Sequence, residues 1–139
     1  IEKDDEFKFE ANDRNLTYKS IDQKFKLNKN IKVFRGPEFN CLNKESINKL
    51  KNQEYSIGIN NRMAYNLKEK IEAGVNSIIS SPVIPGTVQL TPSGQMIILH
   101  RDCQTTGGYP RILQLDEKSL NNLAQLRTGD KIKFELVSL

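Results

Sequence analysis

With 139 residues, 37% of them hydrophobic and 27% charged, the chain is long enough for one core of ordinary size and too short for two full domains. Its net charge of +4 comes from lysines interspersed with acidic residues rather than from a basic block, and the 7% aromatic content leaves few rings for base stacking, so nucleic acid is not an expected partner. The longest apolar runs fall far short of the roughly 20 residues of a membrane span, and no secretory leader is expected at the start shown.

In chain order, residues 1–30 alternate charges with isolated apolar positions without a sustained period, and read as an N-terminal arm, a linker or short edge strands. Residues 31–139 read as the folded domain. IKVFR predicts a strand with Ile31, Val33 and Arg35 on one face, ended by Gly36-Pro37. Asn43 is a candidate N-cap for a short helix whose Ile47 and Leu50 share a face. Tyr55, Ile57 and Ile59 recur at period two. After the polar junction Asn60-Asn61-Arg62, Met63, Tyr65 and Leu67 do the same, which predicts two consecutive strands.

The stretch KEKIEAGVNSIISS fits either a short helix or an irregular excursion. Turn residues then bracket a strand at Thr87 to Leu90, and Gln95 to Asp102 predicts the next. PRILQLD predicts another strand, and Leu120, Leu123 and Ala124 align on a second short helix. Beyond the Thr128-Gly129-Asp130 turn, a last strand buries Ile132, Phe134 and Leu136 and exposes Lys131, Lys133 and Glu135. Many short strands and two small helices predict a β-barrel or a β-rich α+β domain.

Chemistry-bearing residues are sparse. Cys41 and Cys103 are the only cysteines and His100 the only histidine, so a four-ligand Cys/His zinc site cannot be assembled and no metal is expected. The two cysteines permit one disulfide, or two free thiols in a reducing cytoplasm, the expected compartment. On an extended strand His100 and Cys103 face opposite sides, which disfavours a Cys-His nucleophile and makes Cys103 a small buried hydrophobe.

RDCQTTGGYPRI, residues 101–112, is the stretch richest in recognition chemistry. Gly107 and Gly108 permit close backbone approach or positive φ, and Gln104, Thr105 and Thr106 offer paired donors and acceptors to a flat amide or ureido group; the alternative is a solvated turn between strands. The Lys-Ser/Thr of a phosphate loop is missing after the glycines, so ATP binding there is not expected. Arg62 presents planar paired donors to a carboxylate, or forms a structural ion pair at the strand junction. Asp102 orients Arg62 or His100, or caps the loop that follows.

NNRMAYNL at 60–67, PGTVQLTPSGQMIILHRDCQTTGGYPRI at 85–112 and LAQLRTGDKIKF at 123–134 together resemble the C-terminal half of the biotin-dependent carboxyltransferase family. That family includes the C subunit of 5-oxoprolinase, also described as allophanate hydrolase subunit 2, the carboxyltransferase region of urea carboxylase, and the antagonist of a sporulation kinase inhibitor. The resemblance covers residues 31 to 137. Where the family commonly has Asp-Arg-Met-Gly, this chain has Asn61-Arg62-Met63-Ala64 and so lacks a carboxylate beside the arginine. His100-Arg101 also departs from the usual pattern ahead of a retained Asp102, whereas Gln104 to Pro110 is intact.

The resemblance implies a mainly β, cyclophilin-like β-barrel with two short helices. It implies a substrate-binding set of Arg62, Gln104, Thr105, Thr106, Gly107, Gly108 and Tyr109, supported by Asn61 and Asp102, with the loop at a concave surface. It further implies part of an ATP-dependent multi-subunit enzyme acting on a small amide or lactam, with a KipI-like partner, the B subunit of such complexes, and no turnover alone. Alternatives are a carboxyltransferase component of the urea or allophanate type and a non-catalytic antagonist that binds the partner. No cofactor is expected on this chain alone; ATP or carboxybiotin would be used by the assembled complex.

Overall fold

The computed structural model describes residues 28–137, so the predicted arm at 1–27 lies outside the described residues. Strand β1 (Asn30–Arg35) buries Ile31 and Val33 completely and ends at Gly36. Arg35 is not buried with them. Its side chain is exposed, with the guanidinium 5.0 Å over the ring of buried Phe39, and its backbone still pairs with Leu113. Helix α1 (Lys44–Asn52) starts at the position expected from sequence, with the Asn43 side chain accepting from the Ser46 amide.

Strands β2 (Tyr55–Asn60) and β3 (Ala64–Lys70) form an antiparallel pair in which Ile57 faces Leu67 but Asn60 faces Tyr65. Three residues on one strand thus match two on the other, a β-bulge that breaks the period-two alternation. Ile59, expected on the buried face, is consequently 79% exposed. Residues 71–80 are irregular, which decides between the two sequence-based alternatives, and lead into β4 (Ser81–Pro82).

β5 (Thr87–Leu90) and β6 (Gln95–Leu99) follow, then β7 (Thr106–Gly107) and β8 (Arg111–Leu115). Helix α2 (Glu117–Leu123) is capped by Asp116, whose side chain accepts from the Ser119 amide, and buries Leu120 and Leu123. Ala124 falls at its C-cap and is exposed, while Leu126 beyond it is buried. Strand β9 (Lys131–Leu136) alternates as predicted and buries Ile132 and Phe134, but leaves Leu136 only partly buried.

Seven strands close a barrel in the order β1-β8-β5-β6-β3-β2-β9. Every neighbouring pair is antiparallel except β1 with β9, whose parallel register from Asn30↔Lys133 to Val33↔Leu136 seals it. The mainly β barrel with two short helices is therefore the observed architecture. Its interior is filled by Ile31, Val33, Ile57, Leu67, Val88, Leu90, Ile98, Ile132 and their neighbours. Outside the barrel, β4 and β7 form a separate two-stranded ribbon.

Candidate functional site

β5 is buried at all four positions, which a barrel strand with one solvent face would not be. Val88 and Leu90 belong to the interior, so alternation turns Thr87 and Gln89 outward. Both are covered. The Thr87 hydroxyl accepts from the Ile84 amide and donates to Gln114 Oε1 on β8, while Gln89, 2% exposed, lies beneath the segment that contains Gly107. That segment is a flap of two chain stretches, 78–84 and 104–109, laid against the barrel wall.

Backbone pairing seats the flap. Ser81 pairs with Gly107 and Pro82 with Thr106, the Ile78 amide donates to the Gly108 carbonyl at 2.8 Å, and the Val83 amide to the Thr105 carbonyl at 2.9 Å. Leu90 of β5 donates to the Pro110 carbonyl at 3.0 Å. Neither Gly107 nor Gly108 is among the positive-φ glycines of the described residues. Close approach is the reason for glycine at 107: a Cβ there would overlap Nε2 of Gln89 and lie 3.2 Å from its Cδ.

Gln104, Thr105, Thr106 and Tyr109 are exposed on the outer side of this flap. The cavities found under α1, beside β9 and around Pro82, Ile84 and Arg111 do not include Gln104 to Tyr109 among their lining residues. The loop thus runs along the outer face of the barrel wall, with Gly107 packed on Gln89.

The other half of the site is the β2–β3 turn. The Asn61 carboxamide oxygen accepts from the amides of Met63 and Ala64, at 2.8 and 3.0 Å, and so closes the hairpin. Arg62 projects from it, 85% exposed, and its guanidinium forks onto Asp102: Nε to Oδ2 at 2.7 Å and Nη2 to Oδ1 at 3.3 Å. Sequence reasoning takes β6 through Asp102, with His100 and Asp102 on one face. The strand ends at Leu99 instead, because residues 100–103 turn to dock on the hairpin, with the His100 amide donating to the Met63 carbonyl and the Asp102 amide to the Arg62 carbonyl.

Asp102 therefore orients Arg62 by geometry, two residues before Gln104. Gly107, Gly108 and Tyr109 lie farther along, over Gln89, and no side-chain hydrogen bond among the described residues joins the two halves.

His100 is buried, its ring tilted 46° to that of Tyr65 with centroids 5.3 Å apart, and neither ring nitrogen has a hydrogen-bond partner among the described residues. Burial, together with the neighbouring Arg101 charge, holds its pKa below the ordinary histidine value; the nearby Leu120 and Arg62 backbone and the Asp102 charge oppose this only in part. Arg101 reaches away to Glu117 and Asn121 of α2. Cys103 is half-buried rather than fully buried, and burial pushes its thiol up, away from the reactive thiolate.

Sequence reasoning missed the Glu38–Arg111 pair. Arg111 Nε and Nη2 donate to the two carboxylate oxygens at 2.9 and 2.7 Å, and Nη1 to the Pro82 carbonyl at 2.9 Å, which ties β8 to the end of β4. These side-chain bonds from Arg111 hold the Glu38 carboxyl below its usual range despite partial burial. Gln89 was missed too: with Thr87 it reads as the ordinary polar face of an alternating strand, and only the flap laid over that face buries it. Among the described residues there is no group of three or more His, Cys, Asp or Glu arranged to hold a metal, and no helix long and apolar enough to cross a membrane.

The chain belongs to the carboxyltransferase domain family, subdomains A and B, whose model matches residues 1–136. It is 35% identical to the C subunit of 5-oxoprolinase from Escherichia coli over 112 residues, 78% of this chain and 36% of that one. It is 49% identical to the corresponding Haemophilus influenzae protein over 73 residues, 52% of this chain and 22% of the relative. The chain thus spans about a fifth to a third of the length of these curated relatives. Among solved structures it is similar to TTHA0988, at 26% identity and a TM-score of 0.66 over 78% of this chain and 22% of that one. It also shares the fold of Kluyveromyces lactis urea carboxylase, at 21% identity and a TM-score of 0.70 over 80% of this chain and 11% of that one.

Proposed function

We propose that this chain is the C-terminal barrel of a 5-oxoprolinase-type C subunit, which recognises a small amide or lactam within an ATP-using complex that includes a KipI-like partner. The observation that carries this reading is the outward face of the flap. Gln104, Thr105 and Thr106 form an exposed row of paired donors and acceptors beside an arginine whose orientation Asp102 sets. Small-molecule sites are ordinarily concave and dry, and electrostatic recognition weakens in water. A row of this kind on an open wall is half of a site, and a facing surface from the rest of the protein or from the partner completes it. The 35% identity to a C subunit of 5-oxoprolinase supports the choice of lactam chemistry.

The test is ATP-dependent release of glutamate from 5-oxoproline by the full-length protein co-expressed with its partner subunits. Gln104→Ala is expected to lower kcat/KM by about 1 to 3 kcal/mol of lost hydrogen bonding, with an unchanged melting temperature. Full activity in both Gln104→Ala and Arg62→Ala, with assembly intact, would refute the assignment. The isolated 139-residue chain should show no turnover.

One observation favours the non-catalytic antagonist as a second reading: Asn61 replaces the carboxylate common beside the arginine, and its amide oxygen is occupied in closing the hairpin. Tight partner binding without turnover in the complete complex would select it.

A further inference from the structure

We propose that Gln89 is a positioning residue that sets how closely the Gly107–Gly108 backbone approaches the barrel, and through it the pose of Gln104, Thr105 and Thr106. This rests on the reading of the flap as a recognition surface. Gln89 does not itself reach that surface: it is 2% exposed, on the outward side of β5, with the flap between it and solvent. Its Nε2 donates to the Tyr109 carbonyl at 3.3 Å, so the only side-chain hydrogen bond from the barrel wall to residues 104–109, among those described, comes from this amide.

The fit is also steric. The space that a side chain at 107 would occupy is filled by the Gln89 amide, whose Cδ and Oε1 lie 3.2 and 3.3 Å from an ideal Cβ there. At Gly108 the same atom would meet only the Ile78 carbonyl, at 3.5 Å, an ordinary contact. The two glycines are therefore unequal, and Gly107 is the one matched to Gln89. A buried amide is costly unless bonded, and a strand residue facing a closely packed layer would ordinarily be apolar. Using glutamine here holds the flap by direction as well as by contact.

The experiment is a double-mutant cycle in the full-length protein and its complex, read by amide hydrogen exchange at Ile78 and Val83, which donate to the flap carbonyls of Gly108 and Thr105. Gly107→Ala should lower protection at both amides and cut kcat/KM at least about ten-fold, as expected for displaced recognition groups. Combining it with Gln89→Ala should restore part of both, because the overlapping amide is gone. Gln89→Met, which keeps the volume and removes the donor, should lower kcat/KM while melting temperature and partner affinity stay unchanged, a split that a packing role would not give.

The proposal is overturned if Gln89→Met keeps full kcat/KM, or if the double variant is no better than Gly107→Ala alone. If the complex shows no turnover at all, the functional reading fails by itself. The exchange cycle, read with partner affinity, still decides whether Gln89 positions the flap.

Discussion

A buried neutral imidazole packed against the Tyr65 ring makes His100 sensitive to acid. Both ring nitrogens lack partners among the described residues, so a second proton would create a buried cation whose charged neighbours are Arg101 and Asp102. The sign follows from the lowered pKa. The unfolded chain binds the proton more readily, so the stability His100 contributes is present above about pH 6.5 and is lost as pH falls from there through the folded-state value. Melting temperature should drop between about pH 7.5 and 5.5, on either side of the ordinary histidine value, and His100→Phe, which preserves the stacking on Tyr65, should flatten that drop. An identical pH dependence in the two proteins would count against this account. Glu38 and Glu69, the carboxylates held below their usual range, act only in more acidic solution: Glu38 through bonds from Arg111, and Glu69 through bonds from Ser56 that outweigh its burial. Arg62 and Asp102 were legible as a candidate pair from their residue types alone. The burial of His100 was not, because it depends on β6 ending three residues early to meet a hairpin nearly 40 positions back in the chain.

Among the elements, those whose burial follows a simple period were legible: α1 from Ile47 and Leu50 behind the Asn43 cap, and β9 from its strict alternation. Asn43→Ala should cost about 1 kcal/mol in chemical denaturation, since the Ser46 amide loses its acceptor at the helix start. Gly36→Ala should cost more. A Cβ there would overlap the Arg111 carbonyl, a backbone group that cannot rotate away, where Gly36 donates to the Ile112 carbonyl at 2.9 Å. The comparison of the two denaturation midpoints checks the ranking. What stayed hidden were features produced by contacts across the sequence. The bulge that turns Ile59 outward arises from the pairing of β2 with β3, and the complete burial of β5 arises from a flap whose two strands are 26 residues apart at the Ser81↔Gly107 pair. A local period carries no trace of either.

At the scale of the whole molecule, the closed barrel holds the core, while the residues proposed for recognition lie on the flap outside it. Substitutions on the flap's outer face should therefore leave the fold nearly untouched: Arg62→Ala, for instance, removes an exposed ion pair worth less than about 1 kcal/mol and should shift the denaturation midpoint little. The order of strands in the barrel has a further consequence for how the protein is made. β9, the last strand, lies between β1 and β2, the first two. As the chain leaves the ribosome, one edge of β1 and one edge of β2 have no neighbour until residues 131–136 emerge, so the barrel cannot close before β9 has been made. For that interval the nascent chain carries two open strand edges, the features most prone to pairing with a foreign chain. A nascent chain stalled before Lys131 should bind general chaperones, and release after one more strand should end that dependence.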